Sequence, residues 1–108
     1  MSTTPEATLD IRVIYGGDHG TIELTGELDA QSAPRLSEML NHLRDAGHRE
    51  IRVNLRNVSF LDSSGLGAFV LGNRMLAEAG GQLVLVRPSK TVRHLLDVTG
   101  LAAEFTIR

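Results

Sequence analysis

The sequence contains no cysteine, so disulfides and thiolate metal sites are excluded. No apolar run reaches the roughly 18 residues that span a bilayer, which argues against a membrane protein. Positive charge is not in excess either, because 11 Lys and Arg residues stand against 13 Asp and Glu residues, for a net charge of −2. Nucleic-acid-binding proteins need a basic surface, so this composition argues against DNA or RNA as a partner.

The amino-terminal stretch MSTTPEATLD is polar and acidic, and it has no apolar core of the kind found in a secretory signal. We therefore expect a cytoplasmic protein. Residues 1–8 are rich in Ser and Thr and contain Pro5, which predicts a flexible lead. Residues 9–108 then have the length and apolar content of one domain with a single core.

No constellation typical of an enzyme or a metal site is visible. The histidines are scattered without metal-ligand spacing, and neither a Gly-x-Ser-x-Gly elbow nor a phosphate-binding loop occurs. Ser63 as a nucleophile would need a base beside it, and His94 is the candidate. We therefore expect no cofactor, no metal and no catalytic residue, and a hydrolase using Ser63 is the least favoured hypothesis.

Apolar and polar residues alternate in several short stretches, which predicts strands, and apolar residues at helical spacing lie between them. The first two strands flank a glycine-rich turn and form an antiparallel hairpin, whereas each later strand follows a helix and pairs in parallel. Right-handed crossovers place the helices on one face. We expect an α/β fold with a mixed four- to five-stranded sheet. The predicted strands cover 9–13, 21–25, 51–55, 83–86 and an edge strand at 105–107, with helices from about 33 to 46, 63 to 79 and 91 to 98.

The stretch NVSFLDSSGLGAFVLG, residues 57–72, organises the rest of the chain. Asp62, Ser63 and Ser64 stand at a helix start, where each could accept an unpaired amide N–H. An ordinary helix cap needs only one of these side chains, so a second hydroxyl has no capping role. It would lie at the positive end of the helix dipole, which favours negative charge. Gly65 and Gly67 each cost the helix about 1 kcal/mol against alanine, which suggests that something approaches the backbone closely.

The same helix is apolar on more than one face. Leu66, Phe69 and Leu76 fall within one arc and are predicted to lie in the core. Ala68, Leu71 and Met75 fall outside that arc and form a second apolar stripe. Such a stripe packs either under a neighbouring helix or against another protein, and its spacing does not distinguish these alternatives.

Several blocks carry a family resemblance. FLDSSGLG follows a strand ending in VNL, and LTGELDA, GGQLVLV and VRHLLDVTGL occur around it in the same order as in the STAS domain family. The chain resembles the anti-sigma factor antagonists of that family in particular. The resemblance implies one STAS domain over residues 9–108.

What the family does is an expectation for this chain. The unmodified antagonist binds an anti-sigma factor that is a serine/threonine kinase and so frees its sigma factor. The kinase phosphorylates the first serine after the Asp of DSSGLG, here Ser63, and a serine phosphatase resets the cycle; Ser64 matches the unmodified second serine. The resemblance, together with the second stripe, predicts a partner-binding surface made of Glu27, Asp29, Asp62, Ser63, Ser64, Gly65, Leu66, Gly67, Ala68, Leu71 and Met75.

Two alternatives stay open. Position alone makes Asp29 a loop or capping residue, whereas the resemblance places it beside the serine turn at the partner surface. The family also includes constitutive scaffolds and transport-associated subunits that use no serine switch. Residues 68–72 fall in a variable part of the family pattern, and the lead is longer than in compact members, so the choice of partner is open.

Overall fold

The computed structural model describes residues 9–17 and 19–108. The predicted flexible lead, residues 1–8, lies outside the described residues, as does Asp18 of the predicted hairpin turn. The elements within the described ranges follow in chain order. They are β1 (Leu9–Gly16), β2 (His19–Leu28), α1 (Ala33–Asp45), β3 (Glu50–Leu61), α2 (Ser63–Glu78), β4 (Gln82–Val86), α3 (Lys90–Thr99), a 3₁₀ helix (Leu101–Glu104) and β5 (Thr106–Ile107).

The strands form one five-stranded sheet in the order β1-β2-β3-β4-β5. The β1–β2 pair is antiparallel, and all later neighbours are parallel. Each parallel pair is joined through a helix, because a parallel connection must return to the same end of the sheet. The predicted mixed sheet with an amino-terminal hairpin is confirmed, including the short edge strand.

β2 and β3 are both longer than the sequence predicts. The alternating pattern ends at Leu55, yet β3 runs on to Leu61 and pairs with β2 as far as Leu28. This pairing passes two register irregularities, and at each of them β3 has one residue more than β2. The side chains of β3 therefore no longer alternate regularly, and the pattern is lost. The pairing with β4 ends earlier, at Asn54 with Val86. The extended β2–β3 ladder therefore carries the end of β2 directly to the start of α2.

The core lies on the helix-bearing face of the sheet. Inward side chains from the strands and from all three α-helices belong to one buried cluster, in which strand residues such as Ile22, Val53 and Leu85 are fully buried. The opposite face is more polar, with Glu23 and Arg52 half-buried. The expectation of helices mainly on one face is confirmed. The helix residues of the cluster include Leu36, Leu40, Leu43, Leu66, Phe69, Leu76, Val92 and Leu96.

Val84 is completely buried although it lies on the face opposite the core cluster. Arg52 is its register partner on β3 and forms an ion pair with Glu50 at 2.6 Å. Arg108, beyond β5, reaches the same carboxylate at 3.8 Å, so these side chains span β4. A continuous apolar run such as residues 83–86 is typical of a strand buried on both faces, and the ion-paired side chains lie over β4 on the face opposite the helices.

Candidate partner-binding site

The start of α2 is capped by Asp62 alone. The Oδ1 atom of Asp62 accepts the backbone N–H of Ser64 at 2.9 Å and that of Gly65 at 3.1 Å. The carbonyl of Asp62 accepts the N–H of Leu66 at 3.0 Å, which closes the first helical turn. Of the three residues that could cap the helix, the aspartate side chain satisfies two of its free amides, so neither serine side chain is needed for the cap.

Ser63 and Ser64 are exposed at the first two positions of α2. Within the part of the chain that the structure describes, neither hydroxyl has a hydrogen-bond partner. Both sit at the positive end of the helix dipole, where an anion is stabilised. The turn therefore presents two unused hydroxyls at a position that tolerates negative charge.

The two glycines of this turn differ in their surroundings. A Cβ on Gly65 would lie 2.9 Å from the Leu28 carbonyl oxygen and 2.6 Å from Leu61 Cδ1, so the α2 backbone must pack directly on the end of β2. A Cβ on Gly67 would meet no atom within 4 Å among the described residues. The predicted close approach is thus internal at Gly65, whereas Gly67 leaves an exposed stretch of bare helix backbone.

The loop after β2 is organised by Asp29. Its Oδ1 accepts the backbone N–H groups of Gln31 and Ser32, each at 3.0 Å, and the Ser32 hydroxyl lies at the same distance. These bonds, led by that from the Ser32 N–H, lower the pKa of Asp29 below its usual value near 3.8, against a smaller opposing effect of burial. Of the loop or capping role expected from position alone, the loop role is therefore present, because these bonds lie within the turn before α1.

The end of β2 and the start of α2 meet at one corner. The N–H of Asp62 donates to the Leu28 carbonyl at 3.3 Å, and Glu27 is the register partner of Phe60. Glu27 is exposed, and Asp29 follows two residues later in the chain. The sequence-predicted acidic residues and the serine turn are thus brought to the same end of the molecule.

Two shallow grooves run along opposite sides of α2. The first has a volume of about 510 Å³ and lies between α2, the end of α3 and the 3₁₀ helix; Ser63 is at its rim. The second has a volume of about 490 Å³ and lies between α2 and α1, with Ser64 at its rim. Gly67 and Leu71 line both grooves, and we call this pair of residues the α2 ridge.

The STAS domain family model matches residues 10–108. The chain belongs to the STAS domain family. It is 38% identical over 93 residues to an anti-sigma-B factor antagonist of Staphylococcus epidermidis, covering 86% of each chain. The STAS domain also superimposes on the anti-sigma factor antagonist SpoIIAA in its unphosphorylated form, with a TM-score of 0.79 and 27% identity over 92% of this chain and 88% of that one. The phosphorylated form of the Bacillus protein SpoIIAA gives a TM-score of 0.73 and 25% identity, over 92% and 91%.

The second apolar stripe of this STAS domain is divided between two environments. Ala68 is only 8% exposed and belongs to the core cluster, so for this residue the alternative of packing under a neighbouring helix holds. Its burial follows from close packing of α1 on α2, where a Cβ on Gly72 would come 2.7 Å from Leu40. Leu71 is 55% exposed and Met75 is half-buried. The neighbouring helix therefore covers one part of the stripe and leaves Leu71 to solvent.

The core positions of α2 are as predicted, since Leu66, Phe69 and Leu76 are all buried. Leu66 also lines the first groove, so it contributes to the floor of that groove from within the core. Gly65 is buried beneath the turn. Among the predicted partner-binding residues, the exposed side chains are thus those of Glu27, Ser63, Ser64 and Leu71.

Sequence reasoning missed the far walls of both grooves. Leu101 and Glu104 line the first groove, and Pro34 and Glu38 line the second. No local motif marks these residues, because only the tertiary packing of their helices brings them beside α2. Phe60 was missed as well; it is 45% exposed beside Glu27, and an exposed aromatic residue next to the serine turn could have suggested a contact surface.

The described residues hold neither a metal-binding cluster nor a hydrogen-bonded serine–histidine pair at Ser63. No group of three or more His, Asp or Glu side chains within them is placed to hold a metal ion. In the same ranges no hydrogen bond joins Ser63 to His94, which is exposed on α3. No helix in the part of the chain described by the structure is long and apolar enough to cross a membrane.

Proposed function

We propose that this STAS domain is an anti-sigma factor antagonist controlled by phosphorylation of Ser63. The unphosphorylated form binds an anti-sigma factor serine/threonine kinase and frees its sigma factor. Phosphorylation releases the antagonist, and a serine phosphatase restores it. The observation that carries the proposal lies at the start of α2. Asp62 caps the helix there, and the exposed Ser63 hydroxyl makes no hydrogen bond within the described residues. The antagonists named among its relatives support the same function.

The fold can accommodate a phosphate on Ser63. Phosphorylation adds about −1.5 to −2 charges at neutral pH, and the amino-terminal end of α2 favours that charge. The carboxylate of Asp62 opposes it, but both side chains lie next to water rather than in the core. The hydroxyl also gives up no hydrogen bond when it is modified. We therefore expect the domain to keep its structure and nearly all of its stability on phosphorylation.

A bound partner would not accommodate the same phosphate. Ser63 stands at the rim of the first groove, whose lining includes Leu66, Val70, Leu71 and Leu101. A partner that covers this groove must cover the serine hydroxyl as well. Adding a dianion there imposes desolvation and like-charge repulsion from Asp62. A loss of about 3 kcal/mol in binding free energy would lower the affinity about 100-fold, which is enough for a switch.

The remaining contacts are proposed from their positions around this serine. The α2 ridge supplies an exposed leucine beside a glycine without side-chain cover, so a partner can lie close to the helix backbone there. Glu27 and Asp29 add acidic groups at the adjoining corner, where basic side chains of a partner would be attracted. Ala68, Leu66 and Gly65 lie beneath this surface and would act by shaping it, whereas Met75 extends it along α2.

The experiment is a binding titration against each anti-sigma factor kinase purified from the same organism. Wild type and Ser63→Ala should bind, and Ser63→Asp should lose at least about 100-fold in affinity. Thr91→Asp is the matched control, because it places the same charge on an exposed residue in the first turn of α3, outside both grooves. That variant should bind like wild type.

Equal binding of wild type and Ser63→Asp would overturn the serine switch. Stable co-purification with membrane ATPase subunits, unaffected by Ser63→Asp, would instead favour a constitutive scaffold or transport-associated subunit. Labelling of folded protein by a serine-reactive fluorophosphonate probe would favour the hydrolase, which we expect not to occur.

A further inference from the structure

The edge strand β1 is open to pairing on one side. It is eight residues long, and among the described residues its partner is β2, which it follows from Leu9 to Gly16 without a register shift. The other edge of the sheet is β5, which has only two residues. Long and flat sheet edges present unpaired N–H and C=O groups to other chains, whereas very short edges do not. The two edges of this sheet are therefore unequal.

β1 has few of the devices that usually protect an edge. Its sequence, LDIRVIYG, contains no proline and no lysine, and it has no bulge against β2. One protecting contact exists at its beginning, where Arg35 Nη1 donates to the Leu9 carbonyl at 2.7 Å. That bond uses one lone pair of a single carbonyl and leaves the rest of the strand uncovered by the described residues.

Half-buried apolar side chains of β1 line this edge on the helix-bearing face. Ile11 and Val13 are only half-buried, although both pack against the core cluster. A groove of about 380 Å³ lies beside Ile11, which lines it together with Arg35, Glu38, Met39 and His42 of α1. Another strand added to β1 would cover these half-buried side chains and extend the core.

The charges of β1 fit a second copy of the same strand. Asp10 and Arg12 are exposed and lie on the face opposite Ile11 and Val13. In an antiparallel pair with a two-fold axis at Ile11, Asp10 of each copy lies opposite Arg12 of the other. Opposite charges in directly facing cross-strand positions stabilise a pair, and the symmetry gives this contact twice.

We propose that β1 pairs antiparallel with β1 of a second copy of this chain, joining the two sheets into one ten-stranded sheet with Ile11 on the two-fold axis. The half-buried side chains of Ile11, Val13 and Met39 become part of this interface. The α2 ridge and Ser63 lie on other elements, so each copy keeps its own serine turn accessible. The proposal therefore does not depend on the serine switch.

The test is sedimentation equilibrium of the full chain over a concentration series, with wild type, Arg12→Asp, Asp10→Arg and the double charge swap. Wild type should show a reversible monomer–dimer equilibrium. Each single variant places two like-charge contacts in the interface and should raise the dissociation constant about tenfold or more, whereas the double swap should restore dimerisation. Both residues are exposed, so the variants should fold normally, which far-UV circular dichroism checks.

A wild type that stays monomeric at every concentration would overturn the proposal and leave β1 free for the strand of a different protein. A double swap that dimerises no better than the single variants would overturn the proposed register. Neither result depends on whether Ser63 is phosphorylated, so failure here is distinguishable from failure of the switch.

Discussion

The Asp62 carboxylate accepts the backbone N–H of Ser64 at 2.9 Å, and the same oxygen also accepts the N–H of Gly65. A helix needs its free amino-terminal amides satisfied, and here one side chain does so before the first serine begins the helix. The hydroxyl of Ser63 can consequently be modified without removing the cap. Stability and switching thus depend on adjacent but different residues.

This separation predicts that substitutions of Asp62 and Ser63 affect stability differently. Asp62→Ala should lower the free energy of unfolding by about 1 kcal/mol, because two helix amides lose their acceptor. Ser63→Ala should change it very little, since the hydroxyl makes no hydrogen bond within the described residues. Urea denaturation of both variants measures the difference. Equal destabilisation by the two substitutions would mean that the serine also caps the helix.

The two glycines of the turn predict a second contrast. Gly65→Ala should destabilise the domain by about 1–3 kcal/mol, because its Cβ would meet the Leu28 carbonyl and the Leu61 side chain. Gly67→Ala meets no atom and should stabilise the helix by up to about 1 kcal/mol. We nevertheless expect Gly67→Ala to weaken kinase binding, because the new methyl group stands on the α2 ridge. Thermal unfolding and a binding titration on the same samples test both effects, and tighter binding by Gly67→Ala would contradict the proposed contact.

The exposure of Leu71 predicts a binding defect without a folding defect. Leu71→Ser should change stability by no more than about 0.5 kcal/mol, since the side chain is 55% exposed. Affinity for the kinase should fall at least about tenfold if the ridge is an anchor of the interface. Phe69→Ala is the contrasting variant: it lies two residues earlier, is fully buried and should cost about 3–5 kcal/mol of stability. Unchanged kinase binding by Leu71→Ser would remove the ridge from the interface.

The ion-paired cluster on the other sheet face predicts a pH-dependent contribution to stability. The hydrogen bond from Arg52 is the main cause that lowers the pKa of Glu50 from its usual value near 4.5, with Gln82 and Arg108 acting in the same direction. A lowered pKa stabilises the fold above the usual value, and the contribution is lost as the pH falls through the lowered one. Because the pair is partly exposed, we expect about 1 kcal/mol or less at pH 7.

Glu50→Gln isolates this contribution, since the amide keeps the shape of the side chain but cannot titrate. The stability difference between wild type and Glu50→Gln should be largest near neutral pH and should shrink as the solution becomes more acidic than the lowered pKa. Comparing the two proteins also removes the similar pH dependence expected from Asp29, whose pKa is lowered too. A difference that stays constant with pH, or that grows in acid, would contradict the assignment.

Much of this architecture could be predicted from local pattern. Ile51, Val53 and Leu55 alternate as a half-buried strand should, and all three are fully buried. The polar corner before α2 predicted a helix start, which the structure places at Ser63. Such features succeed because the periodicity of side chains and the chemistry of caps are short-range properties of the chain.

The rest depended on contacts between distant residues. β3 continues to Leu61 because it pairs with β2. The sequence after Leu55 does not alternate, so this continuation could not be predicted from the pattern. Ala68 is buried because α1 packs closely on α2 at Gly72, which the spacing of α2 alone could not decide. Asp62, Ser63 and Ser64 can all accept a backbone N–H, so the sequence does not decide which of them caps α2. The hydrogen bond from the Ser64 N–H identifies Asp62.

Ser63 is the proposed switch residue, and the sharpest test is to map phosphate on protein isolated from its own cells. The tryptic peptide 57–74 contains Ser59, Ser63 and Ser64, and its fragment ions distinguish them. We expect phosphate on Ser63, in a fraction of molecules that changes with growth conditions. Phosphate on Ser59 or Ser64 alone, or no phosphate under any condition including stress, would contradict it.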